Sequence, residues 1–107
     1  MPDKNHFIYI IRPHKENFAE TMTEEEAGVM SEHFLYLTDL MNKGKLVIAG
    51  PETSGKFGIA VFEADNLEHA KELTANDPAV KKNVVTAEIY PFRISLLIPE
   101  RSEGSHR

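Results

Sequence analysis

One hundred and seven residues, 41% hydrophobic and 27% charged, have room for one modest core and therefore for one globular domain. A formal charge of −5 argues against a nucleic-acid partner and against an anionic membrane surface, because affinity for both rests on a surplus of Lys and Arg. Zero cysteines exclude disulfides, thiolate nucleophiles and thiolate metal sites together.

The chain opens on Met1-Pro2-Asp3-Lys4-Asn5-His6, which lacks the basic and then apolar pattern of a secretory signal, so a cytoplasmic protein is expected. No apolar run approaches the ~20 residues of a membrane-spanning helix. Phe7-Ile8-Tyr9-Ile10-Ile11, β-branched and aromatic, reads as a first strand that stops at Arg12-Pro13. A polar stretch from His14 to Met22 follows. Thr23-Glu24-Glu25-Glu26 then spells a capping box, and Val29, Met30, Phe34, Leu37, Leu40 and Met41 recur at helical steps until Gly44 stops the helix.

Leu46-Val47-Ile48-Ala49, ended by Gly50-Pro51, and Phe57-Gly58-Ile59-Ala60-Val61-Phe62 read as a hairpin. Asp65-Asn66-Leu67-Glu68 is a second capping signal, with Asp65 expected as the N-cap of a shorter helix that Asp77-Pro78 ends. Val84 to Tyr90 is the fourth strand, and Pro91 places that end at a sheet edge. Residues 1–98 thus form one α+β domain of order βαββαβ with a four-stranded antiparallel sheet, and residues 99–107 a polar, loose tail. Both helices fall on one face of that sheet. The first and third strands are nevertheless apolar on both alternations, so the open face predicts a homodimer.

His33 lies three residues after Met30 and four before Leu37, on the apolar stripe of the first helix, where an imidazole needs a partner. Asp77 stands where the second helix ends, a position that turn chemistry alone accounts for. Because both helices pack on one sheet face, Asp77 could also reach His33 and fix which ring nitrogen faces a ligand, which is a general acid–base pair in outline. Tyr36, one helical turn from His33, and the Gly50-Pro51 turn are expected to close a pocket around the pair. Three other readings fail on the residues. Ile59 sits where an RNA-recognition sheet would carry a stacking aromatic. The five histidines lack metal-ligand spacing, so no metal is expected, and Gly55 and Gly58 form no phosphate loop.

Several segments carry a resemblance in register. Glu32-His33-Phe34-Leu35-Tyr36-Leu37 runs through Lys43-Gly44-Lys45-Leu46 to Ala49-Gly50-Pro51. Arg12-Pro13, Asn66-Leu67-Glu68-His69-Ala70, Asn76-Asp77-Pro78 and Glu88-Ile89-Tyr90-Pro91-Phe92-Arg93 accompany it. Together, over residues 6 to 95, they resemble the YciI-like, or YCII-related, family. The resemblance implies a ferredoxin-like dimeric α+β barrel whose catalytic His and Asp map onto His33 and Asp77, with Arg12, Tyr36, Gly50 and Pro51 as substrate-binding residues. The resemblance names no substrate, and the leading expectation is a cofactor-free enzyme working by proton transfer on a small ring-shaped or ketonic molecule. The alternative is a dimeric module that binds a small ligand without turnover.

Overall fold

The computed structural model describes residues 5–99. Its strands are β1 (His6–Pro13), β2 (Leu46–Pro51), β3 (Gly58–Glu63) and β4 (Val85–Phe92), and its helices are α1 (Phe18–Thr21), α2 (Glu24–Asn42), α3 (Leu67–Ala75) and α4 (Pro78–Lys81). The strands form one antiparallel sheet in the order β2-β3-β1-β4, with all helices on one face, which is the ferredoxin-like arrangement. The tail expected from residue 99 onward lies, beyond Pro99, outside the described residues.

The central strand β1 sets the layering. Phe7, Tyr9 and Ile11 point to the helices and are buried, opposite Phe62, Ala60 and Gly58 of β3. The Tyr9 and Phe62 rings meet edge to face, with centroids 5.7 Å apart. The other alternation, Ile8 and Ile10, faces the uncovered side and is only half-buried. On that side Ile48, Tyr90 and Phe92 are 59%, 49% and 41% exposed, so a band of apolar side chains meets solvent there.

The capping box of α2 is formed as its sequence demands. Thr23 Oγ1 accepts from the Glu26 backbone N–H at 3.1 Å, and Glu26 Oε1 accepts from the Thr23 N–H at 3.0 Å. The bond from Thr23, then Lys15 and His14, hold the Glu26 carboxyl at about 2, below its ordinary value. A carboxyl depressed on folding contributes stability above about pH 4.5 that is lost as pH falls toward about 2. Glu26→Gln should therefore flatten the acid limb of a melting-temperature profile within that window.

Elsewhere the structure corrects the reading of the chain. The N-cap of α3 is Asn66, whose side chain accepts from the His69 N–H at 2.8 Å, and not Asp65, whose side chain stays in solvent. Asx residues cap equally well, so two adjacent ones leave the boundary open by one position. Asn66→Ala should lower stability by ~1 kcal/mol while Asp65→Ala leaves melting nearly unchanged. The stretch from His14 to Met22 contains α1, a single turn too short for a periodic signal. Gly50 and Pro51 lie inside β2 and not in a turn. β4 runs through Pro91 to Phe92, which the outer edge of the sheet tolerates.

The apolar stripe of α2 also divides. Val29, Leu37 and Leu40 are buried against the sheet, whereas Phe34 and Met41 are 69% and 54% exposed. The latter two, with Met30, sit on an adjacent edge of the helix that overhangs a cavity.

Candidate active site

Asp77-Pro78 does two things at one point of the chain. Pro78 is the first residue of α4 and holds Asp77 in extended backbone, φ −62° and ψ 127°. Asp77 then caps α4, its Oδ1 accepting from the Ala79 N–H at 2.9 Å. The residue read as turn chemistry at the end of one helix is therefore the N-cap of the next, a turn of four residues that the sequence pattern hid.

That cap aims the carboxylate at α2. His33 Nδ1 lies 2.7 Å from Asp77 Oδ2 and 3.0 Å from Oδ1. Tyr9 Oη donates to Oδ2 at 2.6 Å from the central strand below. Asp77 is fully buried and the His33 side chain is 13% exposed, so the pair is shielded from water. An ionised carboxylate only accepts, which makes Nδ1 a donor and leaves Nε2 for a ligand. Among the described residues Nε2 has no hydrogen-bond partner. Burial first, and the negative Asp77 next, push the Tyr9 phenol far above its ordinary value, so it stays a protonated donor.

Tyr9 was not singled out from the sequence. Its signal was a hydroxyl on the inward alternation between Phe7 and Ile11, where a buried Tyr must find a partner.

His33 and Tyr9 line a cavity of about 530 Å³ between α2 and the β2–β3 half of the sheet. Its walls are mainly apolar, from Met30, Phe34 and Met41 of α2 to Ile11 and Ala60 of the sheet and Phe57 just before β3. Gly50 and Pro51 also line it. Tyr36 does not: its Oη donates to the Leu73 carbonyl at 2.7 Å and ties α2 to α3. Burial, and then the charge of Asp77, raise its phenol as well. Arg12 is also elsewhere, half-exposed on the open sheet face and paired with Glu88 at 3.0 Å. An arginine on the alternation opposite Ile11 cannot turn to the helix side. Among the described residues no group of three or more His, Asp or Glu side chains is set to hold a metal ion, and no helix is long and apolar enough to cross a membrane.

These features define a ferredoxin-like α+β protein in which a histidine–carboxylate pair borders an apolar cavity. The profile of the YCII-related domain matches residues 6–93, and the chain belongs to that family. No curated protein matches it. Among solved structures it is similar to the 5-chloro-2-hydroxyhydroquinone dehydrochlorinase TftG of Burkholderia phenoliruptrix, in complex with 2,5-dihydroxybenzoquinone. That likeness has a TM-score of 0.61 at 16% identity and covers 81% of this chain and 93% of the other. An uncharacterised protein of Thermotoga maritima aligns at 12% identity and a TM-score of 0.48, over 84% of this chain and 98% of that one.

Proposed function

We propose that the chain is an acid–base enzyme that moves a proton on a small molecule at His33 Nε2, without a cofactor, and that it works in the cytoplasm as a homodimer. The observation that carries this reading is the His33–Asp77 bond at 2.7 Å beside a cavity of about 530 Å³, a size suited to a ring-bearing ligand. Asp77 holds the ring so that Nε2 is the working nitrogen, and its charge offsets that of the imidazolium that forms when Nε2 takes a proton. Return of that proton to another atom of the same molecule completes an isomerisation in which atoms and charge balance. A cyclic molecule carrying hydroxyl or ketone groups suits this chemistry, since such groups acidify their neighbouring C–H and O–H bonds. The compound bound to the Burkholderia enzyme is of that kind.

The site is tested by titrating cyclohexanone, an uncharged cyclic ketone, into protein labelled with ¹⁵N in its histidines. The His33 Nε2 resonance is expected to move more than Nδ1; no movement of either sinks the site. The homodimer rests on the apolar band of Ile8, Ile10, Ile48, Tyr90 and Phe92 across the open sheet face. Covering one such face with another is of the order of the ~800 Å² per partner of a stable interface. Light scattering at micromolar concentration should give twice the chain mass, and Ile10→Lys with Tyr90→Lys should halve it.

A further inference from the structure

We infer that Phe18, on the segment between β1 and α2, is the residue that limits the length of the ligand, and that the cavity takes an uncharged molecule presenting a single polar end to His33. This deepens the proposed function and rests on the same cavity.

The segment is a fixed wall. Phe18 is buried, at 8% exposed, and with Ala19 it lines the cavity. Behind it the ring is held by the edge of His14, with centroids 6.1 Å apart, and by Lys15 Nζ, 5.9 Å from its centroid. Those two side chains are in turn pinned to the start of α2, His14 Nε2 to Glu26 Oε2 at 2.6 Å and Lys15 Nζ to Glu26 Oε1 at 2.9 Å. Lys15 Nζ also donates to the Thr21 carbonyl at 2.8 Å, and the His14 N–H to the Val84 carbonyl at 3.0 Å, closing the segment on itself and on the sheet. The β2–β3 loop passes near the wall, since a side chain at Gly55 would come within 3.9 Å of Ala19 Cβ.

The lining decides the ligand's charge. Among the described residues it contains no Lys, Arg, Asp or Glu. Its polar side chains are Tyr9, spent on Asp77, Thr38, whose hydroxyl donates to the Phe34 carbonyl, and His33. His33 is therefore the one lining side chain with an unengaged ring nitrogen, and any positive charge it takes up is already paired with Asp77, so a carboxylate or phosphate would be desolvated against apolar walls without a cation of its own to meet it. Growth of the ligand along the apolar walls is favourable until it meets the Phe18 ring.

The test uses 4-alkylphenols from methyl to hexyl, and the matching 4-alkylbenzoates, titrated by ligand-observed NMR. In the wild-type protein affinity should rise about fourfold per methylene up to a limiting chain and then fall. Phe18→Ala should move that limit outward by at least two carbons and tighten the first chain the wild type rejects by tenfold or more. Phe18→Leu, which keeps more of the packing, should move it by about one carbon. Benzoates should bind at least tenfold more weakly than phenols of equal length in all three proteins. An unchanged limit in both variants overturns the role of Phe18. Benzoates binding as tightly as phenols, or no phenol binding at all, overturns the ligand class. Binding is read here independently of turnover, so a shifted limit without catalysed proton exchange would leave the wall standing and remove the acid–base reading.

Discussion

Replacing Asp77 by Ala should destabilise the protein by ~3–5 kcal/mol, the range for removing one partner of a buried, hydrogen-bonded pair. The carboxylate accepts from His33 Nδ1, the Tyr9 hydroxyl and the Ala79 N–H, from three different elements, and is itself fully buried. Its loss strands three donors at once, each with a desolvation cost of its own. At roughly 4 °C per kcal/mol for a domain of this size, the melting temperature should fall by well over 10 °C. Tyr9→Phe removes one donor and leaves two, so it should cost only ~1–2 kcal/mol. A drop for Asp77→Ala no larger than that for Tyr9→Phe would show that the carboxylate is not the hub described.

His33→Asn is expected to behave in the opposite way. The imidazole borders the cavity and makes its one strong bond to Asp77, which an Asn amide can still supply by donating from its side-chain nitrogen. Stability should therefore change by less than ~1 kcal/mol. Turnover should fall by ~10²–10⁴, the ordinary contribution of a positioned acid–base group. Circular dichroism and a melting curve beside the activity measurement separate the two effects, and a variant that retains most of its turnover contradicts the assignment of Nε2.

The contrast between these two residues shows where the sequence was informative. His33 stood out because its helix was long, well capped and periodic, so a polar ring among Met30, Leu37 and Leu40 was visible from spacing. The fold was legible as well: α2 and α3 are capped and periodic, β1 and β3 are uninterrupted β-branched and aromatic runs, and the order of these elements admits few topologies. Asp77 was legible as a position but not as a structure, because α4 is one turn long and a four-residue helix leaves no period to read. Tyr9 was hidden by the opposite circumstance, a hydroxyl inside a run of apolar strand residues whose pairing across the sheet is a matter of register. Tyr36 was placed at the cavity by nearness to His33 in sequence, and Arg12 by the family resemblance. The helix phase instead turns Tyr36 toward α3, and strand alternation turns Arg12 to the open face. The division of the α2 stripe into a buried edge and an exposed one depended on how far the β2–β3 half of the sheet lies from the helix, which no local pattern encodes.

Solvent exchange tests the acid–base assignment most directly. With cyclohexanone in deuterated buffer, deuterium should enter the C–H positions beside the carbonyl faster in the presence of the wild-type protein than in buffer alone, and His33→Asn should return the rate to that of buffer. Binding of the ketone with no acceleration, or equal acceleration by wild type and His33→Asn, would contradict the account and leave a ligand-binding module in its place.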